Sequence, residues 1–209
     1  MVNTRVAYDR WSDTYDRDRN LTRDLDHEVT RSTLVSFRFS SVLEIGCGTG
    51  DLALAAIAQV GTSGRVVGID ASPEMIAVAQ AKANTSAIAA EFFVQPVEHM
   101  AFADHSFDVV LSSLMMHHLP DTLKQQALME VRRVLKPGGR LIIVDIRRPT
   151  SLAGRMLNIM LLHGAMKAGV QDLGHMLTQA GFQIQEIGTL PIRMLGFIRA
   201  SIVKEAGGI

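Results

Sequence analysis

A chain of 209 residues with 47% hydrophobic and 20% charged side chains is long enough for one globular core and too apolar for a disordered segment. Its 21 basic residues balance 21 acidic ones, so no broad basic field draws it to nucleic acid. The single cysteine excludes an intramolecular disulfide, the charged opening "MVNTRVAYDRWSDTYDRDRN" lacks a signal-peptide core, and no apolar run approaches the ~20 residues of a membrane span, which sets the expectation of a cytoplasmic protein.

Residues 1–38 are rich in charge and read as helical. Tyr8, Trp11 and Tyr15, all the tyrosine and tryptophan in the chain, fall on one helical face, which either packs on the domain or meets a ligand. From Ser41 onward, short β-like runs alternate with helix-like stretches, the pattern of an α/β domain with a mainly parallel sheet. Strands are predicted at Ser41–Ile45, Arg65–Asp70, Glu91–Gln95, Phe107–Ser112 and Arg140–Asp145. A glycine turn leads the first of them into the alanine-rich "DLALAA", which suits a helix. Ser72 caps a second helix that has Pro73 at its first position. Asp121 is expected to cap a third, whose apolar Leu123, Ala127, Val131 and Val134 recur at helical spacing until "KPGG" stops it. An apolar, methionine-rich stretch follows the fifth strand. Beyond it lie a helix ending at Gly181 and two β-like runs joined through Thr189–Pro191, an expected antiparallel hairpin at the sheet edge. With no repeat or linker, residues 1–209 form a single domain.

The glycine turn "VLEIGCGTG" places backbone N–H groups at a helix N-terminus, where an anion or carboxylate is favoured. Dinucleotide enzymes use a similar turn, but their glycines run G-x-G-x-x-G or A, whereas Gly46, Gly48 and Gly50 run G-x-G-x-G with Asp51 next. The second strand ends in "VVGIDAS", which puts Asp70 in position to accept hydrogen bonds from both hydroxyls of a ribose. An adenosine-containing ligand is implied.

Four motifs in order, "VLEIGCGTG", "VVGIDASPEMIAVAQAKA", "FDVVLSSLMMHHLPD" and "VRRVLKPGGRLIIVD", resemble those of the class I S-adenosylmethionine-dependent methyltransferases, within them the ubiquinone/menaquinone-methyltransferase-like small-molecule branch. The resemblance covers roughly residues 41–145 and, more loosely, "LTQAGF". It implies a Rossmann-like, doubly wound seven-stranded sheet, mostly parallel with an antiparallel last strand and helices on both faces. Residues 1–38 would then be an N-terminal helical cap and 147–170 a lid-like insertion.

By the same resemblance, Glu44 and the loop of Gly46, Cys47, Gly48 and Gly50 line the methionine end of S-adenosylmethionine. Asp70 takes the ribose, Ala71, Ser72 and Met75 lie along the adenine, and Ser112 with Leu114 approach from the fourth strand. Relatives read "GDAxxLPF" after the third strand, with an aspartate on the adenine amine; this chain reads "VQPVEHMAF" and puts Pro96 there. The amide of Val97 still reaches the ring, and Gln95 or Glu98 replaces the lost acceptor.

Methyl transfer from a sulfonium is an in-line displacement that chiefly requires alignment in a dry site, with S-adenosylhomocysteine as product. A base is needed only where the attacking atom is protonated. "MMHHLP" offers His117 and His118 just past the fourth strand; by analogy with related enzymes His118 is the better base, partnered by Tyr15 or Tyr8. The alternative is that one histidine packs on the sheet and the other caps a turn. The other histidines show no ligand spacing, so no metal is expected. Arg147 and Arg148 precede Met156 and Met160 in a stretch that reads as a lid over a hydrophobic or aromatic acceptor, as a core helix, or as a surface for lipid headgroups. The expected partner is a small-molecule substrate. The alternatives are a quinone- or phospholipid-type methyltransferase at a membrane surface and a cofactor-binding protein without catalysis.

Overall fold

The computed structural model of the protein describes residues 40–60, 64–85, 90–148, 169–190 and 195–202. Tyr8, Trp11, Tyr15, Met156 and Met160, with the cap and most of the lid-like insertion, lie outside these residues. In chain order the elements are β1 (Ser41–Ile45), α1 (Asp51–Val60), β2 (Arg65–Asp70), α2 (Pro73–Thr85), β3 (Ala90–Val94), β4 (Phe107–Ser113), α3 (Asp121–Val134), β5 (Leu135–Ile146), α4 (Gly174–Gln179), β6 (Phe182–Thr189) and β7 (Leu195–Ile202). Short 3-10 turns at Met116–His118 and Val170–Leu173 precede α3 and α4.

The strands form one seven-stranded sheet in the order β3-β2-β1-β4-β5-β7-β6. β1 pairs in parallel with β2 and β4, β2 with β3, and β4 with β5. β7 runs antiparallel to both β5 and β6, so the expected hairpin is present with its second strand inserted next to β5. The Rossmann-like, doubly wound architecture expected from the sequence is therefore the observed one.

Alternation along the strands divides two cores. Val42, Val66, Val109 and Ile142 meet Leu52, Ala53, Ala56 and Ile57 of α1 and Ile76 and Ala79 of α2. Their neighbours Leu43, Val67, Val110 and Ile143 face the other way, onto Leu128 and Val131 of α3 and Leu177 of α4. A sheet covered on both faces requires strands apolar at every position, which is why all of β1 is buried. Because the chain starts in the middle, winds out to β3 and returns beside β1 as β4, a crevice opens at the carboxyl ends of β1 and β4.

Two local expectations differ. β5 starts at Leu135, five residues before the predicted Arg140. Its register with β4 jumps from Phe107↔Leu135 to Val109↔Arg140, so "KPGG" forms a bulge within the strand, with Gly138 at φ 79°. Asp121 does not cap α3: Pro120 holds that position, and the Asp121 carboxylate instead accepts from Lys124 Nζ at 2.9 Å. Ser72 does act as expected, its Oγ accepting the Met75 N–H at 3.2 Å.

At the opposite, amino-terminal edge of the sheet, Asp108 ties three strands together. It accepts from the Ser41 N–H at 2.9 Å, the Ser41 hydroxyl at 2.9 Å and Lys136 Nζ at 2.8 Å. Burial pushes its carboxyl up, but hydrogen bonds from Lys136, Ser41 and Ser40 outweigh this and hold it below the ordinary range. A lowered folded-state value contributes stability above the unfolded value of ~3.9 that is lost as pH falls through the folded one. Asp108→Asn is thus expected to be less stable than the native chain at pH 7, with the gap closing on acidification below about pH 4 in urea titrations. A gap independent of pH would contradict this.

Candidate active site

The loop after β1 turns through three left-handed glycines, Gly46 (φ 65°), Gly48 (φ 53°) and Gly50 (φ 84°). Close approach adds to the requirement at two of them: a Cβ on Gly46 would collide with Met115, and one on Gly50 would sit 2.7 Å from the Phe92 ring. The loop is latched to the end of β2. Gly48 N–H donates to Asp70 Oδ2 and Ser72 N–H to Asp70 Oδ1, both at 2.9 Å, while Cys47 N–H reaches Ile69 O at 2.9 Å. Both Asp70 oxygens thus accept from backbone amides, which fixes the carboxylate between the glycine loop and the turn after β2.

Above this latch lies a cavity of about 290 Å³. Gly46 and Gly48 form its base with Asp70, Ala71, Ser72 and Met75; Gln95, Pro96, Val97 and Glu98 form one side; Ser113, Leu114, Met115, His118, Leu119, Pro120 and Leu123 form the other. Most of the residues singled out from the sequence are therefore brought together. Four of the cofactor-binding candidates are not on the wall. Glu44 (2% exposed), Cys47 (6%) and Ser112 (2%) are buried behind it, and Gly50 packs against Phe92 and Ala79. Strand alternation turns Ser112 inward and brings its neighbour Ser113 to the cavity. Burial, reinforced by the Glu44 and Asp70 carboxylates, pushes the Cys47 thiol well above its usual value, so it holds no thiolate for nucleophilic chemistry.

The segment after β4 is bent sharply. Leu114 adopts φ 52°, rare for a non-glycine residue, and donates its N–H to Val144 O at 2.8 Å. The following turn separates the two histidines. His118 lines the cavity, and desolvation there, with His117 alongside, depresses it to about 4 against an opposing pull from Asp145, so it is neutral at physiological pH. His117 is turned to β5, where its Nδ1 lies 2.6 Å from Asp145 Oδ1. Arg147, half-buried just past β5, lies outside the cavity wall, and Arg148 pairs with Asp172 at 2.9 Å. Reasoning from sequence did not find Asp145, Ser113, Met115, Leu119 or Leu123. The only available signal was their proximity to "HH" and to the end of the fifth strand. Among the described residues, no group of three or more His, Cys, Asp and Glu side chains is arranged to hold a metal ion, and no helix is long and apolar enough to cross a membrane.

A methyltransferase-domain family model matches residues 42–139, the span that builds the loop, the latch and both cavity walls. The chain is 33% identical over 155 residues to the demethylmenaquinone methyltransferase of Lactiplantibacillus plantarum, covering 71% of this chain and 65% of that protein's length. It is 31% identical over 195 residues to the demethylmenaquinone methyltransferase of Staphylococcus epidermidis, covering 88% and 80%. Its fold matches that of the N-methyltransferase NodS from Bradyrhizobium japonicum, solved with S-adenosylhomocysteine, at a TM-score of 0.73 and 20% identity over 96% of this chain and 98% of that one. The chain belongs to the class I S-adenosylmethionine-dependent methyltransferases.

Proposed function

We propose that the cavity binds S-adenosylmethionine and that the protein, acting in the cytoplasm, moves its methyl group to a small hydrophobic or aromatic acceptor. The observation that carries this reading is the placement of Asp70, a carboxylate lining the cavity at the carboxyl end of β2 and held against the glycine loop by the Gly48 and Ser72 amides, where a ribose bound on that loop would meet it. The bound sulfonium supplies an electrophilic methyl group. The protein's part is to align the acceptor and keep water out, and alignment alone is worth on the order of 7–11 kcal/mol of barrier. Leu114, Met115, Leu119 and Leu123 give the cavity the apolar side that an aromatic ring needs. The relatives named as demethylmenaquinone methyltransferases favour a quinone-type ring over other acceptors.

At the adenine end, the cavity offers a substitute for the aspartate that Pro96 displaces. Gln95 Oε1 already accepts the Ala101 N–H at 2.9 Å, so an adenine amine would have to share it. Glu98 on the same side is an acceptor, so it takes the exocyclic amine while the Val97 amide meets a ring nitrogen. Glu98→Ala is expected to weaken S-adenosylhomocysteine binding roughly tenfold, and to leave unweakened the inosine analogue, which has no amine to donate. An equal loss for both compounds would contradict the assignment.

The reading as a whole is tested by incubating the protein with isotopically labelled S-adenosylmethionine and cell extract. A labelled small aromatic product in the mass spectrum is expected. Tight binding with no methylated product would make the chain a non-catalytic binder, and labelled phospholipid would move its acceptor to a membrane surface.

A further inference from the structure

We propose that Glu130 and Arg133, which lie outside the cavity wall, are positioning residues for the methyl donor: from α3 they hold in place the turn that presents Val97 and Glu98 to the adenine. The inference rests on reading the cavity as the S-adenosylmethionine site.

Between β3 and β4, residues 95–106 form no helix or strand. The Pro96 carbonyl accepts the His99 N–H at 3.4 Å, so Val97 and Glu98, both on the cavity wall, are the central residues of a β-turn. No ladder holds such a turn, and its position depends on what grips its two ends. At the near end the Gln95 N–H donates to Asp70 O at 2.9 Å, which ties it to β2. At the far end both backbone groups of Met100 are taken by α3: Glu130 Oε2 accepts its N–H and Arg133 Nη2 donates to its carbonyl, each at 2.8 Å. Gln95 Oε1 closes the base of the turn by accepting the Ala101 N–H at 2.9 Å.

Arg133 commits its whole guanidinium to this grip. Nε and Nη2 meet the two Glu130 oxygens at 2.7 and 2.8 Å, and Nη1 reaches the Phe102 carbonyl at 2.7 Å and Asp104 at 2.8 Å. With the Met100 bond, every one of its five N–H donors has an acceptor. A lysine offers three donors on one atom and cannot reproduce that fork. Hydrogen bonds from Arg133 outweigh burial and hold the Glu130 carboxyl below its ordinary range, so the pair stays charged at neutral pH. The anchor itself is rigid, because Ala127, Leu128, Val131 and Val134 of α3 are buried in the core. The same helix carries Leu123 on the opposite side of the cavity, so both walls are referred to one element.

The test is titration calorimetry on the full-length protein with S-adenosylhomocysteine and with methylthioadenosine, which keeps the adenosine and lacks the amino-acid end. Arg133→Met is expected to weaken S-adenosylhomocysteine binding about 10–100-fold, as the displaced turn loses its hydrogen bonds to adenine, and methylthioadenosine binding by the same factor to within about twofold. Arg133→Lys keeps part of the grip and should fall between Arg133→Met and the native chain. Asp108→Asn controls for stability alone: it lowers the urea midpoint from the far edge of the sheet and is expected to leave both affinities within about twofold of native. An Arg133→Met protein with a lowered midpoint that still binds S-adenosylhomocysteine within about twofold of native would overturn the proposal. So would a loss confined to S-adenosylhomocysteine, which would put the effect at the amino-acid end. Should Arg133→Met fail to fold, Arg133→Lys and Glu130→Gln decide by the same comparison. A native chain that binds neither compound would overturn the reading of the cavity instead, a different result from a pair that serves only the fold.

Discussion

Asp70→Ala is expected to weaken S-adenosylmethionine binding by on the order of 10²–10⁴-fold, since each hydrogen bond to a charged acceptor is worth about 1.5–3 kcal/mol and two ribose hydroxyls lose theirs. The loss is compounded because the same carboxylate holds the Gly48 and Ser72 amides, which form the base of the cavity. Asp70→Asn keeps one oxygen and should fall between the alanine variant and the native chain. Titration calorimetry measures both. Affinity unchanged in Asp70→Ala would mean that this carboxylate serves only the loop and that the ribose lies elsewhere.

Gly50→Val is expected to destabilise the fold by about 2–5 kcal/mol, combining ~1–2 kcal/mol for a left-handed β-branched residue with ~1–3 kcal/mol of overpacking. The backbone at Gly50 has φ 84°, and a Cβ would stand 2.7 Å from Phe92 and 3.0 Å from the Ala79 methyl. Neither neighbour can give way easily, because Phe92 and Ala79 are both buried where β3 and α2 close over α1. A loss of this size is a large fraction of the ~5–15 kcal/mol that holds a typical domain together. Urea denaturation reads it directly, and a midpoint within error of the native one would show that the loop relaxes around the new side chain. The effect differs in kind from that of Asp70→Ala, which should leave the folded core intact while emptying the cavity of its ligand.

What the sequence made legible was whatever the chain encodes locally. Runs such as "SVLEI" and "RVVGID" announce buried parallel strands because both faces must be apolar, and the left-handed demand at Gly46, Gly48 and Gly50 is written in the residue type itself. Ser72 could be read as a cap for the same reason. "KPGG" does lie where α3 stops, after Val134, but only pairing with β4 shows that β5 already begins at Leu135 and runs through these residues as a bulge. Asp121 was read as a cap by residue type, and Lys124 three residues on took its carboxylate. The Asp145–His117 contact was out of reach because it joins residues 28 apart through the neighbouring strands β4 and β5. Parity was the other blind spot. At a strand end, a shift of one residue decides which of Ser112 and Ser113 reaches the cavity, and hydrophobic pattern alone does not locate the strand's last turn that finely.

Charge placement around the cavity also explains why one family of side chains can serve two ends of the same ligand. In the proposed complex Asp70 and Glu98 would present acceptors to hydroxyls and an amine, while the apolar side from Leu114 to Leu123 would receive a ring. Behind them Glu44 and Asp145 stay buried, each at 1–2% exposure, as support for loop and turn.

A crystal structure of the protein grown with S-adenosylhomocysteine tests this arrangement most directly. The nucleoside should lie against Gly46 and Gly48 with both ribose hydroxyls on Asp70 and the adenine between Met75 and Val97. Density for the compound at any other surface, or a bare glycine loop at saturating concentration, would contradict it.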